Sequence, residues 1–284
     1  MLILRMVNES DLKPLVLSLF LLCCVASVRA QGPTRPRIGP NLIVAAFGGW
    51  QTAQSGIDLR TIVLERTDPN YQMELKLVRF DRKAFMPRIL HGRDLQLLNG
   101  ASAKAFAEKS GAIAAINANY FDEKGRALAY LKTAEKEINR RVSKHALYTG
   151  IFGLSDGSPF IMHRNDFEPH QASEALQSGP LLLHHGAKVE VMRGLGRYAR
   201  RALIGIDREG RVIVAVADAV FGGLSLDELQ ELFANPNVQL DMTELLNLDG
   251  GGSAQLYLKA GDFEESVAGT TVVPVAIGFF AKTH

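Results

Sequence analysis

Residues 246–254 read Leu-Asn-Leu-Asp-Gly-Gly-Gly-Ser-Ala, and the reading of that run decides the fold. Leu245, Leu246 and Leu248 form an apolar approach, Asn247 and Asp249 deliver an amide and a carboxylate, and three glycines follow before the hydroxyl of Ser253. Adjacent glycines weaken the interior of a strand or helix, because each loses much backbone freedom on ordering. They suit a place where backbone must approach another group closely, and successive exposed N–H groups there form an anion-binding nest. With Asp249 at its mouth, the run reads as a binding site presenting Gly250, Gly251, Gly252 and Ser253 to a ligand. It reads equally as a tight Asp-Gly turn between strands over 245–248 and 254–258.

Outward from this junction the chain is rich in strand signals. Thr61 and Val63, then Met73, Leu75 and Leu77, recur at period two and predict strands over 60–65 and 71–80. Apolar runs over 112–118, 149–154, 160–163, 181–183, 202–206, 212–217 and 271–280 predict further strands, with turns at Asp156-Gly157 and over 207–210. Ser102 as N-cap and Gly111 as stop predict one helix over 102–110. The capping box Ser225-Leu226-Asp227-Glu228 opens a second, which ends at Asn235-Pro236. Residues 132–144 are polar and carry no clear period, and the chain shows no internal repeat or heptad. The fold class expected is α+β: extensive mixed, partly antiparallel β-sheet with a few flanking helices.

At the N-terminus, Arg5 and Lys13 precede an apolar core over 15–25, and Val28-Arg29-Ala30 places small residues before Gln31. That layout predicts a signal peptide over 1–30, an exported protein in periplasm or medium, and a core too short to span a membrane. Residues 31–40, rich in Pro and Gly, predict a flexible linker, leaving 41–284 as one domain. Removing 1–30 takes away Cys23 and Cys24, so no disulfide or thiol chemistry is expected in the remaining 254 residues. The segment holds three of the 32 basic and two of the 30 acidic residues, leaving a formal charge of +1. No basic field argues for nucleic acid.

Other polar clusters sit at predicted strand ends, where loops carry function. Asn117 and Asn119 share one face of an extended chain and can hold sugar hydroxyls, or else form an Asx-type turn before Asp122. Gln177-Ser178-Gly179-Pro180 precedes Leu181, a turn chemistry that serves structure or site. Arg201, at the start of an apolar strand, has the forked guanidinium that clamps phosphate or carboxylate. Gly251-Gly252-Ser253-Ala254-Gln255 lacks the closing glycine of a serine hydrolase elbow. The seven histidines show no zincin spacing, and His184-His185, after a strand, reads as a surface pair. No required metal or cofactor is expected. Calcium or magnesium on oxygen ligands near Asp249 is chemically open, although no loop has an EF-hand pattern.

Five segments, taken in order, resemble the phosphodiester glycosidase family: 114–122 (AAINANYFD), 177–181 (QSGPL), 201–206 (RALIGI), 214–218 with 223–226 (GLSL), and 246–254 (LNLDGGGSA). The resemblance spans about 75–280, and where the family shows a glycine-leucine step this chain has Ala129-Tyr130-Leu131. It implies cleavage of the anomeric C–O bond of a sugar-1-phosphodiester, in cell-envelope or exopolysaccharide material, to free sugar and a phosphomonoester. It implies catalytic roles for Asp249, Arg201 and Asn117, and substrate contacts from Asn119, Ser178, Gly179, Asp218, Gly250, Gly251, Gly252 and Ser253. The chemistry is coherent: a phosphomonoester leaves with a conjugate pKa of roughly 6, so it needs charge neutralisation more than the raised-pKa acid of an ordinary glycosidase. Arg201 and the glycine amides would supply that charge, and Asp249 would act as nucleophile or as base towards water. A non-catalytic binding protein for envelope polysaccharide would use the same polar pocket without turnover. The oligomeric state is not legible.

Overall fold

Met73, Leu75 and Leu77 are buried, as their period-two spacing predicts, and pair with a strand in which Ile62 and Leu64 turn inward. These two strands, Ile57–Thr67 and Asn70–Phe80, join through Asp68-Pro69. The computed structural model describes residues 35–134, 136–190 and 198–282. The expected signal peptide lies outside them.

The largest sheet has ten strands. Its order is Arg37–Gly39, Leu42–Phe47, Ile57–Thr67, Asn70–Phe80, Val212–Asp218, Ala202–Asp207, Met242–Asn247, Leu181–His184 and Ala187–Lys188, with Gln51–Gln54 pairing Ile57–Thr67. A five-stranded sheet runs Ser158–His163, Gly150–Ser155, Glu174–Ser178, Leu131–Thr133, Lys136–Asn139. The other runs Phe263–Val267, Leu256–Ala260, Ala114–Asn117, Val275–Ala281, Phe85–His91. The main core joins all three: Val78, Phe80, Val214 and Leu246 from the first, Phe152 and Leu176 from the second, Ile116, Leu256 and Phe279 from the third. Phe80 and Phe279 stack with ring centroids 3.9 Å apart.

The two helices form where their caps place them. Ser102 Oγ accepts from Ala105 N (3.2 Å), Gly111 takes φ +77° after Ala103–Ser110, and the helix packs Phe106 against the Ala114–Asn117 sheet. Leu226–Ala234 opens on the Ser225/Glu228 capping box and packs Leu229, Leu232 and Phe233 on the outer face of the large sheet.

Three expectations need correction. Every strand pairing described is antiparallel, so the sheets are not mixed and the protein is mainly β. Tight turns join eight of the 17 described pairs, whereas parallel pairs need long crossovers that two short helices do not supply. The linker reading fails from residue 37, because Arg37–Gly39 pairs with Leu42–Phe47 and Ile38 is buried. Finally, the hairpin Leu131–Thr133 with Lys136–Asn139 runs from residue 131 into the featureless stretch 132–144.

Candidate active site

Three strands from three different sheets end at one place. Ala114–Asn117 runs on into Asn119-Tyr120, Glu174–Ser178 into Gly179-Pro180, and Met242–Asn247 into Asp249. Backbone bonds tie the ends together: Asp249 N donates to Ala118 O (3.0 Å), Asn247 N to Pro180 O (3.1 Å) and Leu248 N to Ala202 O (2.8 Å). Arg200-Arg201, just before Ala202–Asp207, enters from a fourth strand.

Asp249 is the half-buried carboxyl at this meeting of strand ends. Burial pushes its carboxyl up to about 6, against the opposing pull of hydrogen bonds from Ser253 and from the Gly250 backbone N–H. Asn247 Nδ2 donates to Gly179 O (2.8 Å) and to Tyr120 Oη (3.0 Å), while Tyr120 Oη itself donates to Gly179 O (3.0 Å). The Tyr120 hydroxyl is thus held in one orientation and kept neutral, first by burial and then by the charge of Asp249. Arg201 is buried; its Nε donates to Leu224 O (2.8 Å), and its guanidinium acts electrostatically on Tyr120. Tyr148 packs on Tyr120 at 5.2 Å, and burial together with Asp249 raises its phenol as well.

The same locus holds buried polar atoms without a protein partner among the described residues: Asn119 Oδ1, Ser178 Oγ and Asn247 Oδ1. Leaving such groups unpaired costs about 1–3 kcal/mol each. Ordered water or a polar ligand entering at these strand ends would satisfy them.

Other sequence candidates take different places from those expected. Asn117 is fully buried and its amide is committed to the chain: Nδ2 donates to Asp249 O (2.7 Å) and Oδ1 accepts from Gln255 N (3.1 Å). Its amide thereby fixes the backbone of Asp249 against that of Gln255. The nest reading also changes, because Gly250 N–H turns to Asp249's own carboxylate and Gly251 N donates to Arg200 O (2.8 Å). The glycines are needed for close packing: a Cβ on Gly250 would lie 2.8 Å from Arg200 O, and one on Gly252 would lie 2.6 Å from Thr271 Oγ1. Only Gly251, at φ +59°, faces open space. Asp218 is exposed at the end of Val212–Asp218, where its charge acts on Lys76. No described contact brings it to Asp249.

Sequence reasoning missed Tyr120, Tyr148 and Asn247 as site residues, although Tyr120 and Asn247 stand inside the quoted motifs. It also missed the work of Gln177. Gln177 Nε2 donates to Ser143 O and Tyr148 O (2.7 Å each), and Oε1 accepts from Ser143 N (2.7 Å), which seats the loop carrying Tyr148. Tyr130, in the family's glycine-leucine step, is fully buried with Oη on Glu137 (3.0 Å).

The model of the phosphodiester glycosidase family matches residues 110–280, which include every residue of this site. The chain belongs to the phosphodiester glycosidase family. Among solved structures it is similar to the catalytic domain of zebrafish N-acetylglucosamine-1-phosphodiester alpha-N-acetylglucosaminidase auto-inhibited by its pro-peptide. That match has a TM-score of 0.62 at 13% identity, covering 84% of this chain and 87% of the other. It is also similar to a hypothetical protein from Synechocystis, with a TM-score of 0.61 at 16% identity, covering 81% of this chain and 63% of the other. At such identities these likenesses show the fold. No curated protein matches the sequence. In this member of the phosphodiester glycosidases, no helix of the described residues is long and apolar enough to cross a membrane. Asp249 does not belong to a group of three or more metal-ligating side chains among the described residues.

Proposed function

We propose that this phosphodiester glycosidase is an exported hydrolase that cleaves the anomeric C–O bond of a sugar-1-phosphodiester in cell-envelope or exopolysaccharide material. The observation that carries the reading is Asp249, a half-buried carboxyl that desolvation raises to about 6, near the partnerless Asn119 Oδ1, Ser178 Oγ and Asn247 Oδ1. Near neutral pH Asp249 is mostly ionised and can serve as nucleophile at the anomeric carbon or as base towards the attacking water. Water adds its oxygen to that carbon, the C–O bond breaks, and the phosphate oxygen takes the electron pair as a phosphomonoester. Arg201, whose buried cation is not screened by solvent, stabilises the charge growing on that phosphate. Asn119, Ser178 and Asn247 orient the sugar, and Asn117 with Gln177 hold the machinery in place.

The test is a panel of sugar-1-phosphodiesters and aryl glycosides incubated with the purified protein. Free sugar plus phosphomonoester is the expected product. Sugar phosphate would make the protein a phosphodiesterase, and binding without product would make it a polysaccharide-binding protein. Arg201→Lys keeps the charge but loses the fork, so turnover of phosphodiesters should fall about 10²-fold or more, and that of activated aryl glycosides much less. An equal loss on both classes would make Arg201 structural.

Export rests on the apolar core over 15–25 and the small residues Val28 and Ala30. N-terminal sequencing of the secreted protein should begin at or near Gln31. A cytoplasmic product still carrying Met1 or Met6 would remove this part of the proposal.

A further inference from the structure

We propose that His184, His185 and Glu244 bind a divalent transition-metal ion of the zinc class, at a site separate from Asp249. Glu244 lies on Met242–Asn247, the strand that leads to Asp249, five residues and so roughly 16 Å before it. His184 closes Leu181–His184, the antiparallel neighbour that starts beside Gly179. The two strands that carry one wall of the sugar site thus meet again at their far ends, where these three side chains converge.

Successive residues of a strand point to opposite faces, so adjacent histidines do not ordinarily share a ligand. Here the tight turn to Ala187–Lys188 places His185 at φ +51° and Gly186 at φ +78°. That left-handed pair suits Asn-Gly far better than histidine. Its effect is to swing the His185 ring beside His184, with centroids 3.9 Å apart. A donor atom from each histidine and a Glu244 oxygen then lie within 4.8 Å of one another. His184 Nδ1 is 2.7 Å from Glu244 Oε2, and His185 Nδ1 is 3.3 Å from Oε1. The second carboxylate oxygen is steadied by the backbone N–H of His185 (3.0 Å).

The donor set selects the ion. Two imidazoles and one carboxylate suit zinc, copper or nickel, whereas calcium and magnesium demand an all-oxygen shell. Three protein ligands with His185 largely exposed leave a fourth position for water, as in open tetrahedral sites. The ion would staple the turn to the adjacent strand, and the reaction proposed at Asp249 does not need it.

The experiment uses the full chain purified without a polyhistidine tag, stripped with EDTA, and titrated with zinc chloride by calorimetry. Saturable binding of about one equivalent per chain is expected. Cobalt(II) chloride should give the visible absorption of a tetrahedral N/O site. His185→Gln, at an exposed position, should weaken zinc binding beyond the roughly 10–100-fold caused by losing a supporting group. Glu244→Gln should do the same, while Asp249→Asn should bind zinc as the wild type does. Absence of saturable binding, undiminished binding by His185→Gln, or loss of binding in Asp249→Asn would each overturn the assignment.

Discussion

Asp249→Asn is expected to lower kcat by roughly three to four orders of magnitude while leaving substrate binding within about tenfold. The amide keeps the shape and most hydrogen bonds of the carboxylate but can act neither as nucleophile nor as base. In the wild type, kcat/KM should fall on the acid side with a midpoint near pH 6, as the carboxylate takes up its proton. Stability should move the opposite way. The folded chain holds the Asp249 proton up to about pH 6 and the unfolded chain only to 3.8, so the protonated form's contribution is complete below 3.8. It is then lost as pH rises through about 6. That difference corresponds to up to roughly 3 kcal/mol. Asp249→Asn should therefore be more stable than wild type at pH 7–8 by about 1–3 kcal/mol, and indistinguishable near pH 4, when both are unfolded in urea. A variant that retains kcat would move the chemistry to another group. If the stability advantage of Asp249→Asn over wild type is no larger at pH 7 than at pH 4, Asp249 is not held in a costly environment.

Gly179→Ala is expected to destabilise the protein by about 3–5 kcal/mol and lower Tm by roughly 10 °C. A Cβ there would lie 2.1 Å from Leu147 O and 2.8 Å from Thr149 N, both backbone atoms that cannot rotate away. The loop must shift. That loop is fastened on both sides of Gly179, by Gln177 Nε2 on Tyr148 O and by Thr149 Oγ1 accepting from Leu181 N (2.9 Å). Gly179 O is also the acceptor shared by Tyr120 and Asn247. The folded fraction should accordingly lose activity, with Tyr148 pulled from Tyr120. Gly251→Ala is the control: nothing lies within 4 Å of its Cβ, so only the left-handed backbone opposes it, at about 1–2 kcal/mol. Scanning calorimetry of the two variants decides the matter. Equal Tm values would show that the approach of residues 147–149 to Gly179 is not tight.

Local chemistry explains which elements were legible in the sequence. Ser102, Gly111 and the Ser225/Glu228 box set both helices, because a cap is satisfied within four residues of itself. The strand Asn70–Phe80 was legible because one face is buried and the other is not. Glu174–Ser178 was not, because all five residues are buried although they include Glu174, Gln177 and Ser178. The Glu174 carboxylate is tolerated there because Arg88 and the Ile89 N–H (2.6 Å), from a different sheet, satisfy it. Nothing near residue 174 in the sequence announces those partners.

The same division runs through the site. The sequence by itself determined the helix caps, the alternating strands, the Asp249-Gly250-Gly251-Gly252 junction and the motifs that mark the family, since each depends on residues a few positions apart. Only the tertiary structure decided that Asn117 grips the Asp249 backbone, that Tyr120 and Asn247 meet at Gly179 O, and that two glycine amides are occupied internally. It also decided that Asp218, within a family motif, stands apart from Asp249. Hydrogen bonds act over about 3 Å, and the partners here are separated by 59 to 132 residues of chain. Their pairing is fixed by how three antiparallel sheets bring their strand ends together, which no local pattern encodes.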